Sequence, residues 1–120
     1  MKKYLFVGER RSNLAIKMNV TWVDKRLAAA HLSKAVEAIG INWDECAFKN
    51  VFEDKIEDIL SSKCIIIAMG RKVEKELKKH QIQHEFIYHP ATRGAVRNIE
   101  KYKSHVRERI GHIVNSTVAI

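Results

Sequence analysis

Four short segments hold the side chains best suited to chemistry: Phe6–Ser12 (FVGERRS), Phe48–Phe52 (FKNVF), Ile65–Leu77 (IIIAMGRKVEKEL) and Tyr88–Gly94 (YHPATRG). An imidazole at His89 can donate a hydrogen bond or carry a proton near neutral pH, or serve as a hydrogen-bonded structural group. Asn50 offers a donor and an acceptor on one amide, and Asn is also a favoured helix N-cap. Glu9 brings a carboxylate that either takes part in chemistry or pairs with an arginine neighbour. Trp22 is a stacking surface or a core residue. Arg93, Arg97, Lys101, Lys103, Arg107 and Arg109 are a phosphate-binding face or an ordinary solvated one.

The hydrophobic pattern predicts the elements that must position these residues. Tyr4–Val7 is a short apolar run closed by Gly8 and reads as a buried strand. Residues 8–20 show no convincing period and read as a loop. Thr21 and Asp24 have capping-box spacing, and Leu27, Ala28, His31, Leu32, Ala35, Val36 and Ile39 recur at helical spacing up to Gly40, which predicts a helix over 22–39. Cys46–Phe48 is a weak strand signal. Phe52, Ile56 and Leu60 mark a short acidic helix over 52–60. The run Cys64–Ala68 is the strongest strand signal, apolar enough to be covered on both faces. A helix follows Gly70, then a strand at Phe86–Tyr88. From Ala95 on, Val96, Ile99, Tyr102, Val106, Ile110 and Ile113 line one face of a long helix.

Strand and helix thus alternate four times. That order predicts one α/β domain over residues 1–120, a three-layer sandwich in which a four-stranded, mostly parallel sheet carries helices on both faces. Ligands of such sheets bind beyond the carboxyl ends of the strands. Those ends are Gly8, Asn50, Gly70 and His89, so the chemical residues and the predicted ligand-binding loops coincide.

Taken in order, the four segments resemble the uracil-DNA glycosylase superfamily, over about Phe6 to Tyr102. That superfamily has a Gly-led first motif, an Asn ending its second strand, a strand–Leu/Met-Gly–helix segment and a His-Pro-Ser/Ala motif. The resemblance implies hydrolysis of the N-glycosidic bond of uracil or a related altered base in DNA. It assigns His89 as donor to the pyrimidine oxygen of the departing base. Gly8, Asn50 and Trp22 would read and stack the flipped base. The water-positioning residue of the superfamily falls on Arg10 here, which leaves Glu9 as the candidate for that task, or an electrostatically driven mechanism without a true base. Arg10, Arg11, Ser12, Arg93, Gly94 and Arg97 would touch the nucleic-acid backbone. The chain departs from the pattern, and at 120 residues it is shorter than most members. Arg10 stands where much of the superfamily has Asp or Asn, Arg11 replaces a Pro, and the four cysteines of the iron–sulfur branch are missing.

Composition limits the alternatives. The chain has 22 Lys and Arg against 14 Asp and Glu, a net charge of +8. Residues 61–120 carry 12 basic and 5 acidic side chains, and residues 1–60 carry 10 and 9, so the excess lies in the second half. A DNA partner, single- or double-stranded, is expected on that ground. Two cysteines, Cys46 and Cys64, are too few for a disulfide scaffold and have no C-x-x-C spacing. His80, His84, His105 and His112 lack ligand spacing, so no metal, iron–sulfur cluster or other cofactor is expected. The apolar run at the start is too short for a signal peptide, and no segment reaches the roughly 20 apolar residues of a membrane span. An intracellular, cytoplasmic or nucleoid-associated protein is the expectation. Two other functions fit the same residues: a catalytically degenerate nucleic-acid-binding module, and a hydrolase of free deoxynucleotides.

Overall fold

Alternation along the central strands decides which helices cover which face of the sheet. A computed structural model describes residues 2–91 and 98–118, with 115–118 described by their backbone alone. Strand β1 (Tyr4–Gly8) lies between β2 (Cys46–Asn50) and β3 (Ile65–Met69), and β4 (Glu85–Ile87) sits beside β3, giving the order β2-β1-β3-β4. All three pairings are parallel. Tyr4 and Phe6 point to one face with Ile67, Met69 and Ile87; they pack on α2 (Ala28–Ala38) and α5 (Ile99–Val118). Leu5, Val7 and Ala68 point to the other face and pack on α3 (Ile56–Leu60) and α4 (Arg71–Lys79). The fold is therefore the expected three-layer α/β sandwich. The apolar stripe of α5 is fully spent on it, since Tyr102, Val106 and Ile110 are completely buried.

Three expectations are corrected. The helix predicted over 22–39 is two pieces: a single 3-10 turn at Trp22–Asp24, then α2. Lys25 and Leu27 break it, with φ of 58° and 56°. The Thr21–Asp24 capping box is real, with the Thr21 N–H donating to Asp24 Oδ2 at 2.7 Å, but it caps only that turn. The loop predicted over 8–20 contains a six-residue helix, α1 (Asn13–Met18). It buries none of its residues and so has no apolar period to read, yet both ends are marked: the Ser12 hydroxyl accepts from the Ala15 N–H at 3.1 Å, and Asn19 closes it in the left-handed region. The acidic helix expected over 52–60 starts only at Ile56, because Val51–Asp54 forms a turn that ties β2 to β1. In that turn the Val51 N–H donates to Gly8 O and the Phe52 N–H to Glu9 O.

The sheet order places a topological switch between β1 and β3, the kind of crevice where open α/β sheets take ligands. The loops leaving β1 and β4 meet above it.

Candidate functional site

Gly8 and Asn50 are directly paired across β1 and β2. A Cβ on Gly8 would come within 2.8 Å of Asn50 Oδ1 and 3.2 Å of Trp22 Cζ2, so glycine is required there for space. Into that space the Trp22 indole closes down. Its Nε1–H donates to Asn50 Oδ1 at 3.1 Å, and its ring lies nearly parallel to Phe48. Asn50 is 8% exposed, and its amide is engaged at both ends, because Nδ2 donates to Glu53 Oε1 at 2.9 Å. The backbone N–H of Asn50 donates to Asp54 Oδ2 at 2.7 Å. Glu53 also accepts from the Arg11 backbone N–H at 2.6 Å and pairs with the Arg11 guanidinium. Glu53 is thus a clasp between the loops after β1 and β2.

His89 follows β4. Its Nδ1 accepts from the Ala91 N–H at 3.0 Å, so that nitrogen carries no proton. Burial pushes its pKa below the usual histidine range, and the Glu9 carboxylate only partly opposes this. At neutral pH the ring is uncharged, which leaves the proton on Nε2. No partner meets Nε2 among the described residues. The edge of the His89 ring meets the Trp22 indole, with centroids 5.7 Å apart.

Trp22 is the wall between two clefts. One, of about 390 Å³, is lined by Glu9–Asn13, Thr21, Trp22, Arg26, Leu27 and His89, among others. The second, of the same volume, is lined by Trp22, Phe48, Lys49, Asn50, Glu53 and Asp54, among others. His89 and Glu9 therefore share a cleft, and Trp22 separates Asn50 from both. The charges differ as well. Lys49 and Arg11 balance Glu53 and Asp54 in the second cleft. In the first, three arginines face one carboxylate: Arg11 is paired with Glu53, Arg10 lies over the Phe52 ring, and Arg26 has no acidic partner among the described residues. That cleft is an anion-attracting space with a neutral imidazole donor on its wall.

The structure thus brings Gly8, Glu9, Arg10, Arg11, Ser12, Trp22 and His89 together, although the Ser12 hydroxyl already caps α1 and Gly8 sits beneath Trp22. Arg93, Gly94 and Arg97 lie outside the described residues. Arg109, read as part of a phosphate-binding or solvated face, is exposed and donates from Nε to Phe86 O at 3.2 Å. Sequence reasoning missed Arg26, which looked like the first turn of an unbroken helix, and Glu53, an acidic residue in an acidic stretch. It also missed the two α5 side chains behind His89: the Tyr102 hydroxyl donates to Tyr88 O at 2.8 Å, and His105 Nε2 accepts from the Tyr88 N–H at 2.9 Å.

Among the described residues, no three His, Cys, Asp or Glu side chains are grouped to hold a metal ion, and no helix is long and apolar enough to cross a membrane. Burial pushes the Cys46 thiol up to about 12, which makes it an inert core group at neutral pH. No protein-family model, no curated protein and no solved structure matches the chain.

Proposed function

We propose that the protein is a DNA glycosylase-like hydrolase that cleaves the N-glycosidic bond of uracil or a related altered base in DNA. The observation that carries this reading is His89, an imidazole held neutral with a free Nε2–H donor beside Glu9 in a cationic cleft. Cleavage leaves the bonding electron pair on the base and positive charge on the sugar. A fixed donor stabilises the negative charge that gathers on the base carbonyl oxygen, and no proton has to be removed first. The Glu9 carboxylate, on the same cleft, opposes the positive charge on the sugar and holds the attacking water. The water oxygen bonds to C1′ with one proton, and the other proton ends on the base. Arg10 and Arg26 take the phosphate oxygens beside the extruded nucleotide. In this arrangement Asn50 acts through Trp22, by holding the indole that walls the cleft.

A second reading is favoured by the cleft itself. A volume of about 390 Å³ with its own cations is enough for a single nucleotide, which suits a hydrolase of free deoxynucleotides. Base release from one panel decides between them. The panel holds uracil, hypoxanthine and 5-substituted pyrimidines in single- and double-stranded oligonucleotides, alongside the deoxynucleoside monophosphates. Release from oligonucleotides, lost in His89→Ala, is the expected result. Release only from monophosphates selects the second reading. DNA binding without release from any substrate at high enzyme concentration overturns both and leaves a binding module.

A further inference from the structure

We infer that Tyr102 and His105 of α5 are positioning residues that set the aim of His89 through the backbone of Tyr88. Two successive peptide groups lead into His89, and α5 holds both. The Tyr88 N–H, on the first, donates to His105 Nε2 at 2.9 Å. The Tyr88 C=O, on the second, accepts from the Tyr102 hydroxyl at 2.8 Å, and that peptide's nitrogen belongs to His89 itself. Beyond His89, Pro90 fixes its own φ, and the Ala91 N–H donates back to His89 Nδ1. The side chain is therefore held from both sides, and none of the holding bonds uses Nε2.

These anchors are not incidental surface contacts. Tyr102 is fully buried in the core between α2, α5 and the sheet, so its hydroxyl is fixed by the packing of the fold. The His105 ring stacks on the Tyr88 ring with centroids 4.6 Å apart and an interplanar angle of 25°. Arg71 of α4 lies over the same Tyr88 ring, 5.7 Å from its centroid. Ordinary chain ends of a short edge strand have water as their partner; here β4 ends in two protein side chains that arrive from one helix, three residues apart. To accept from an N–H, His105 Nε2 must be unprotonated. The charged groups around it are Arg109 and Glu108 on α5 and Arg71 across the Tyr88 ring; burial, then Arg109, favours the neutral form.

The inference rests on the reading of His89 as the donor, but its test does not need activity. The full-length protein with labelled histidine is titrated by NMR, and exchange of the Tyr88 amide is followed in the same samples. The variants are Tyr102→Phe, His105→Phe and His105→Gln. Gln places an amide oxygen near the position of Nε2 and does not titrate. In wild type the Tyr88 amide exchanges slowly and His89 titrates below the ordinary histidine value. His105→Phe is expected to speed Tyr88 exchange at least 10-fold and to move the His89 midpoint up toward that value. Tyr102→Phe is expected to move it in the same direction, and His105→Gln to restore both readouts. Faster Tyr88 exchange with an unchanged His89 midpoint, in variants that melt as wild type does, overturns the inference. If base release is measurable, His105→Phe lowers kcat with KM nearly unchanged. If wild type releases no base while the His89 shift occurs, the proposed activity fails and the positioning role stands.

Discussion

Gly8→Ala tests the crowding on which the site is built. The new Cβ meets Asn50 Oδ1 at 2.8 Å, where ordinary contact begins at 3.4 Å, so the oxygen must retreat by roughly 0.6 Å. Asn50 is not free to do so, since Glu53 holds the other end of its amide at 2.9 Å. A retreat of that size stretches the 3.1 Å bond from Trp22 Nε1 beyond hydrogen-bond length, a loss of about 1 kcal/mol. Overpacking adds about 1–3 kcal/mol, and the lower unfolded-chain entropy of Ala returns about 0.4–1 kcal/mol, because Gly8 is not in the left-handed region. The net is a destabilisation of about 2 kcal/mol, or about 8 °C in Tm for a chain of this size. Urea and thermal melts measure it. The decisive arm is the double-mutant cycle with Asn50→Ala, which removes the obstructing oxygen. In that background Gly8→Ala is expected to cost at least about 1 kcal/mol less. An equal cost in both backgrounds, or a single-mutant cost under about 0.5 kcal/mol, refutes the reasoning.

Burial holds both His89 and His105 below the ordinary histidine pKa, near 6.5 in an unfolded chain. The unfolded chain then binds more protons, so stability rises with pH through that range: the contribution is full above about 6.5 and is lost on acidification toward the depressed native values. Urea midpoints from pH 7.5 to 5 should fall, and the fall should flatten in His89→Gln and in His105→Gln; an unchanged slope in both counts against burial as the cause. Leu27 sits at φ 56°, ψ −130°, a conformation suited to glycine, with its side chain 37% exposed. Leu27→Gly relieves about 1–3 kcal/mol of strain against about 0.4–1 kcal/mol of unfolded-chain entropy and about 1–2 kcal/mol of lost side-chain burial. A Tm close to wild type is therefore expected, and a fall of more than about 10 °C would show that the strain is small. Arg10→Ala and Arg26→Ala should each reduce the slope of log affinity for oligonucleotide against log salt by about 1. A wild-type slope in both variants removes the phosphate role.

The layers were legible because the buried strands have no choice about their faces. Tyr4–Val7 and Cys64–Ala68 are apolar throughout, and the stripe from Tyr102 to Ile113 has a single helical period, so a sandwich with helices on both sides follows from composition and order. The interruptions were not legible. Lys25 and Leu27 carry helix-forming side chains in left-handed conformations, and nothing in the residue types announces that. Helix α1 buries nothing, so only its caps betray it. The four strand-end positions were readable, since the sheet forces its loops to one end. How they divide was not: Trp22 turns toward Asn50 rather than leaving that amide open, a consequence of the space at Gly8 and of Phe48 beneath the indole. Tyr102 and His105 read as one apolar residue and one unremarkable histidine, because their role depends on the backbone of Tyr88, which only the folded chain brings beside them.

Trp22 stands between the two clefts and lines both. One ring therefore forms a side of each cleft, and its edge and faces are the surface that a ligand in either would touch. The only other tryptophan, Trp43, is buried in the core. Emission that changes when a ligand enters either cleft thus reports on Trp22, an intrinsic probe placed where the two spaces meet.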